Sequence, residues 1–151
     1  MIQWACAKIG AILVTLNPAY RGNEIVSTLA LAQAQHLFVV PRIRSSNYLH
    51  VLASVFPSLS SASPGRPLNL ERLPDLRNIV VFNDLDSEKD FEEEIGVIQP
   101  AVDFREVLVW RENGHEHSTV QALERSLHED EVINLQFTRQ VITTRVIRII
   151  Y

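Results

Sequence analysis

The sequence is poor in the residues that build the commonest phosphate and metal sites. Five glycines are spread over 151 residues, and none follows Gly114. Gly65 and Gly96 each stand alone, so no segment has the glycine density of a dinucleotide or Walker-type loop. The single cysteine, Cys6, cannot close an internal disulfide, which points to a fold held by packing in a reducing compartment. Fourteen lysines and arginines face 18 aspartates and glutamates, for a formal net charge of -4. A nucleic-acid surface needs a basic excess, so that partner class is excluded. No run approaches the roughly 20 apolar residues that cross a bilayer. The apolar stretch behind Lys8 is too short for a secretory leader, has no small-x-small cleavage site and closes at Asn17-Pro18. The expected protein is soluble and intracellular, with cytoplasm, peroxisome and mitochondrion equally compatible.

What remains is globular. At this length a chain hides roughly two-thirds of its unfolded surface, and 46% hydrophobic residues supply a core for one domain or part of one. Residues 2–9 have a helical mix, and Gly10 stands where a helix end wants a residue tolerant of positive φ. Residues 11–16, "AILVTL", read as a strand covered on both faces, ended by Asn17 and Pro18. Asn23 is placed to cap a helix whose face is Ile25, Leu29 and Ala32. "HLFVVP" (36–41) is a second strand. Ser45 or Ser46 is expected to cap a helix carrying Tyr48, Val51, Leu52 and Val55. Strand and helix alternating at this spacing predict an α/β fold, a Rossmann-like layer of mainly parallel strands with flanking helices.

Further on, residues 58–69 form a small-residue and proline loop, and 76–84 a third strand. The acidic run 84–94 reads as a solvated loop or helix start, and 102–110 as a short element of either type. Ser118 and Gln121 make a capping box for a helix to Leu127 with Val120 and Leu123 on its stripe. "INLQF" (133–137) is the last strand.

Isolated side chains give little chemistry. His115 and His117 could share a metal from an extended segment, but a site needs three or four ligands and no further His or Cys lies near. Asp84, Asp86 and Glu88 alternate as in a calcium loop, yet the sixth position is not glycine and Ile95 stands where the bidentate glutamate belongs. Ser58, Ser60, Ser61 and Ser63 lie in no nucleophile-elbow pattern. His36, His50, His115, His117 and His128 form no acid-base motif; His36 opens an apolar strand and reads as a core-edge residue.

Two stretches add a resemblance. Residues 3–25, "QWACAKIGAILVTLNPAYRGNEI", resemble the N-terminal domain of AMP-forming acyl-CoA synthetases, with Gly10, Asn17, Pro18, Tyr20, Arg21 and Glu24 in register. Residues 130–138, "DEVINLQFT", are similar to that family's "DDPINIQFTSGTTGxPKG" up to Thr138. Between them, 73–84 and 102–108 resemble two further family segments in the same order. The resemblance implies a partial N-terminal domain over 1–138, incomplete relative to the family domain, followed by a non-family tail over 139–151.

It also implies a parent chemistry in two steps. ATP and a fatty or related carboxylic acid give an acyl-adenylate and pyrophosphate, and coenzyme A then displaces AMP; magnesium assists. Of the family's phosphate loop only the first residue, Thr138, is present, which makes it the one cofactor-binding candidate; no catalytic residue or metal ligand is assigned. In "RQVITTRVIRIIY" Arg139, Arg145 and Arg148 could attract anions, but Val141 and Ile142 resist the positive φ of a phosphate cradle. A frameshift, a retained intron or an abandoned gene copy would break the register in this way. The expectation is an inactive slice of an acyl-CoA ligase that holds no cofactor itself and self-associates through exposed sheet edges. The alternative is a non-catalytic α/β interaction or regulatory module.

Overall fold

The computed structural model describes residues 2–63, 67–108 and 114–137, and the backbone of 146–149. In chain order its elements are α1 (Ile2–Ile9), β1 (Leu13–Thr15), α2 (Gly22–Leu31), β2 (His36–Val39), β3 (Arg42–Ile43), β4 (Ser46–Asn47), α3 (Tyr48–Val55), β5 (Asn78–Val81), α4 (Glu88–Ile95), β6 (Ala101–Asp103), α5 (Phe104–Val107), α6 (His115–Ser126), β7 (Asn134–Phe137) and β8 (Val146–Ile149). They form two compact units, Met1–Leu16 with Trp110–Tyr151, and Asn17–Val109. The α/β architecture and its parallel strands are as expected. The pairing is less local than strand order suggested, because β1 and β2 enter different sheets.

The central unit is built on a parallel sheet of order β2-β5-β6. Register pairs Leu37 with Ile79 and Ala101, and Val39 with Val81 and Asp103. Side chains alternate across a strand, so Leu37, Ile79 and Val81 share one face, and all three are buried. Ile25, Val26 and Leu29 of α2, Leu49 and Leu52 of α3, and Phe91 of α4 complete the core.

Local chemistry sets where these helices start. α2 begins earlier than a cap at Asn23 would allow: Arg21 is the N-cap residue, and its backbone N–H donates to Glu24 Oε2 at 2.8 Å. An N–H left without a helical partner is thereby satisfied by a carboxylate in the first turn, where the helix dipole also favours it. α3 is capped by Asn47 rather than Ser45 or Ser46; Asn47 Oδ1 accepts from the His50 N–H at 3.1 Å. Ser46 instead pairs in the β3–β4 hairpin, whose turn holds Arg44 at φ 54. In the acidic run Ser87 caps α4, its Oγ accepting from the Asp90 N–H at 3.3 Å, and Phe91 is the residue that faces inward. Residues 102–110, of undecided type in the sequence, give the end of β6 and the single turn α5 as far as they are described.

Gly22 opens α2 where it meets α3. A Cβ there would stand 2.6 Å from Val55 Cγ2 and 3.4 Å from Val51 Cγ1. Both neighbours are stiff, β-branched side chains. Gly22→Ala is expected to destabilise the unit: overpacking costs about 1–3 kcal/mol, against at most about 1 kcal/mol of gained helix propensity. Urea unfolding followed by circular dichroism would measure it, and a gain in stability would refute the close approach.

In the other unit α1 ends at Gly10, whose φ of 72 turns the chain, with Ala11 N–H donating to Cys6 C=O at 2.9 Å. β1 then pairs parallel with β7, Leu13 opposite Asn134 and Thr15 opposite Gln136. β8 pairs with β7 antiparallel, Phe137 opposite Val146. β1 is half-buried with Thr15 exposed, so it is not covered on both faces as its apolar run suggested. α6 starts at His115 after Gly114, three residues before the expected box. Ser118 is therefore inside the helix, its hydroxyl donating to His115 C=O at 2.8 Å. Cys6 is half-buried, and burial pushes its thiol pKa up, away from a reactive thiolate. Among the described residues no helix is long and apolar enough to cross a membrane.

Candidate functional site

Ligands of open parallel sheets sit beyond the carboxyl ends of the strands, and β1 and β7 end side by side. Their last paired residues, Thr15 and Gln136, are both exposed and lie on one face. Thr138, the candidate cofactor-binding residue, follows Phe137 and lies outside the described residues, as do Arg139, Val141, Ile142 and Arg145. Arg148 is described in backbone only, within β8. The residues between β7 and β8, 138–145, all lie outside the described residues. None of them is glycine. A phosphate cradle needs close backbone approach and positive φ, so these residues do not fit the family's ATP loop. At the other end of β7, Asn134 is buried and its Oδ1 has no hydrogen-bond partner among the described residues. Nothing in the strand pattern marked it.

A dense polar group lies at the carboxyl end of β6. Arg105 Nη2 and Nη1 meet Glu88 Oε1 and Oε2 at 2.5 and 3.2 Å, while its Nε and Nη2 meet Asp103 Oδ2 at 2.8 and 2.5 Å. Asp103 Oδ1 accepts the Arg105 N–H at 2.8 Å and so caps α5. The guanidinium also lies 5.7 Å from the Phe91 ring centroid. One arginine thus ties α4 to β6. Its side-chain hydrogen bond to Asp103 is the largest influence lowering that carboxyl pKa, outweighing the rise from burial. The hydrogen bonds that Arg105 donates to Asp103, and then those to Glu88, raise its pKa.

Asp103 is only 8% exposed, so this interaction bears on stability. Its folded pKa is depressed, so the stabilisation is present above the unfolded value of about 3.9 and is lost as pH falls through the lower folded pKa. Thermal unfolding across pH 2–6, a range of about four units bracketing that value, should show a fall on the acid side. Asp103→Asn keeps the cap and should flatten that limb; an unchanged limb would remove Asp103 as its source.

Between α3 and α4 an open cleft of about 410 Å³ is lined by Arg42, His50, Asp90, Glu93, Glu94 and Val97. Its charges are largely answered locally. Asn47 Nδ2 donates to Glu94 Oε2 at 2.8 Å, His50 Nε2 lies 3.7 Å from the same oxygen, and Lys89 Nζ is 3.8 Å from Glu93 Oε1. Among the described residues no group of three or more His, Cys, Asp or Glu is arranged to hold a metal.

The isolated candidates also resolve. His115 and His117 are in the first turn of α6, not an extended segment. Two residues apart on a helix are about 200° around it, so they point apart, and His117 Nε2 contacts Gln121 Nε2 at 2.9 Å. Glu88 of the calcium-like run is held by Arg105 and by Asn83 Nδ2 at 3.0 Å. Ser60 and Ser61 donate to the carbonyls of Val97 and Ser58. His36 is exposed at the head of β2, its Nδ1 2.9 Å from Asn78 Nδ2.

No family model matches the sequence. The zebrafish (Danio rerio) mitochondrial medium-chain acyl-CoA ligase ACSF2 is 31% identical over 138 residues, which is 91% of this chain and 20% of that protein. The acyl-CoA synthetase YngI of Bacillus subtilis is 37% identical over 79 residues, 52% of the chain and 14% of its own length. The crystal structure of the anthranilate CoA ligase AuaEII with anthranoyl-AMP superposes with a TM-score of 0.54, covering 97% of this chain and 21% of that one at 16% identity. The chain matches a partial region of the AMP-forming acyl-CoA synthetases. It spans about one fifth of the zebrafish relative it matches. The AuaEII likeness carries the fold alone, and the fold agrees. Positions by which the sequence resembled the acyl-CoA synthetases have visible structural roles: Gly10 makes the positive-φ turn, Arg21 begins α2 and Glu24 closes its first turn.

Proposed function

We propose that residues 1–138 are part of the N-terminal domain of an adenylate-forming acyl-CoA ligase, and that residues 139–151 are a tail foreign to that domain. In full-length form such a ligase joins a carboxylic acid, on the analogy of ACSF2 a medium-chain one, to ATP as an acyl-adenylate with magnesium, then transfers the acyl group to coenzyme A inside the cell. The identity of 31% over 138 residues with one ligase carries this reading. The 151-residue chain is itself inactive, because the segment after Phe137 has no glycine with which to hold the triphosphate. ATP–pyrophosphate exchange with a medium-chain acid should stay at background for this chain; exchange above background defeats the inactivity. The family reading has its own test. Zebrafish ACSF2 in which residues 1–138 replace the matched region should retain thioester formation, and a folded but inactive chimera would count against it.

The second reading, a non-catalytic interaction module, draws support from sheet edges. β2 and β6 each have one neighbour among the described residues, and such edges are templates for pairing. Sedimentation equilibrium over a concentration series should show self-association; a monomer throughout would dismiss edge pairing.

A further inference from the structure

β7 lies between β1 and β8 in its sheet, and its two sides face different partners. Leu13 stands opposite Asn134, and its N–H donates to Ile133 C=O at 2.9 Å. In a parallel pair a residue bonds in this way to the neighbours on either side of the one it faces. Ile133 and Leu135 therefore turn their backbone groups to β1, and Asn134 and Gln136 turn theirs to the opposite side. There β8 runs antiparallel, with Ile149 opposite Asn134 and Ile147 opposite Gln136, so these are the pairs that exchange N–H and C=O bonds in that ladder. Without β8 the backbone of Asn134 and Gln136 would form an open edge, which is a template for another chain. Residues 133–137, "INLQF", carry no charge and no proline, so β7 itself does nothing to discourage pairing. β8 changes that edge. Its "VIRI" is β-branched, as strand pairing favours, and it puts Arg148 on the outer strand. The outer strand on the other side, β1, is only three residues long. Short strands and charged strands are two of the ways in which native sheets blunt their edges.

We propose that residues 146–149 are a built-in edge cap: they occupy, in cis, a strand-addition site on β7 that would otherwise take the same segment of a second copy of this chain. Strand addition draws its affinity from main-chain hydrogen bonds, which any extended, β-branched peptide can supply. A segment tethered to the same chain has the higher effective concentration and excludes the one that must diffuse in. The cap gives 146–149 a role separate from catalysis, so the inference goes beyond the ligase reading and stands without it.

Hydrogen exchange on the whole 151-residue chain tests it. The Asn134 and Gln136 amides should be protected, and dilution should not change that. Ile147→Pro removes the N–H that faces Gln136 and should speed exchange of both amides by roughly tenfold or more, the scale of one or two lost hydrogen bonds. The Leu135 amide, on the β1 side, should change less. Val146 stands opposite Phe137, so its N–H turns away from β7; Val146→Pro, at the first residue of the strand, is tolerated there and should leave both amides protected. In sedimentation the Ile147→Pro chain should self-associate at lower concentration than the parent. β2 and β6 are the same in both chains, so the difference isolates β7. Free exchange of Asn134 and Gln136 in the parent overturns the proposal. So does protection that fades on dilution, which would put the strand of a second copy in the site. Equal exchange in the two proline variants, or self-association unchanged by Ile147→Pro, refutes it as well. The dilution series needs no substitution, so it decides the question even where a variant fails to fold.

Discussion

Phe91→Ala is expected to destabilise the central unit by about 3–5 kcal/mol, the range for deleting a fully buried aromatic ring. Phe91 is the one residue of α4 that is fully buried, at 1% exposure, in a helix otherwise made largely of glutamate, aspartate and lysine. α4 therefore has a single anchor in the core. The guanidinium of Arg105 beside the ring would also lose its aromatic partner, which at a half-exposed site is worth only about 0.5–1 kcal/mol; cavity formation dominates. A unit of this size has in total about 5–14 kcal/mol, so the variant should be close to unfolding at 37 °C. Urea denaturation followed by circular dichroism measures the loss. Phe91→Leu, which refills most of the space, should cost less than half as much. Equal losses for the two would mean that the ring is not what holds α4.

The second large effect is expected at Gly10. Its φ of 72 is one that side chains with a Cβ adopt at a cost of about 1–2 kcal/mol. An added Cβ would also stand 2.6 Å from Leu127 Cδ2, and overpacking adds about 1–3 kcal/mol. Gly10→Ala should thus cost about 2–5 kcal/mol in the unit that holds β1 and β7. Hydrogen exchange of the β1 and β7 backbone amides, which pair across that unit, reports its unfolding. The double variant with Leu127→Ala separates the two causes. It should relieve the clash and leave the backbone strain, so a double variant no better than the sum of the singles would remove the steric part.

Gly10 was legible in the sequence because backbone conformation is a local property: a helical run that stops at glycine before a β-branched run leaves few alternatives. Caps were less legible. Asn23, Ser46 and Ser118 are all good capping residues, yet the helices begin at Arg21, Asn47 and Gly114. At α2 the decisive partner was Glu24, reaching back to the Arg21 N–H. At α3 the cap fell one residue later, on Asn47, whose Oδ1 reaches the His50 N–H while Ser46 and Asn47 both pair in the β3–β4 hairpin. The Arg105 group was illegible for another reason. Glu88 and Arg105 lie on different elements, and only the fold brings them together. His115 and His117 failed as a pair because the sequence leaves the period of that segment open, and a helix separates what a strand would align. The strand to Phe137 was readable from the apolar residues Ile133, Leu135 and Phe137 and from the family resemblance, whereas Thr138, on which the site reading turned, lies outside the described residues.

The pairing of β1 with β7 has a consequence for how the chain is made. Residues 13–15 must wait for 134–136, and the central unit, 17–109, comes between them. On a ribosome that central unit can close while the later residues are still inside the exit tunnel, since domains fold as they emerge. The first strand meanwhile hangs unpaired. Loop closure over so many residues is slow because its entropy precedes any contact. A prefolded centre shortens that loop by holding the chain between the two strands as one body. The order of synthesis thus becomes an order of assembly, with the two ends of the chain joined last.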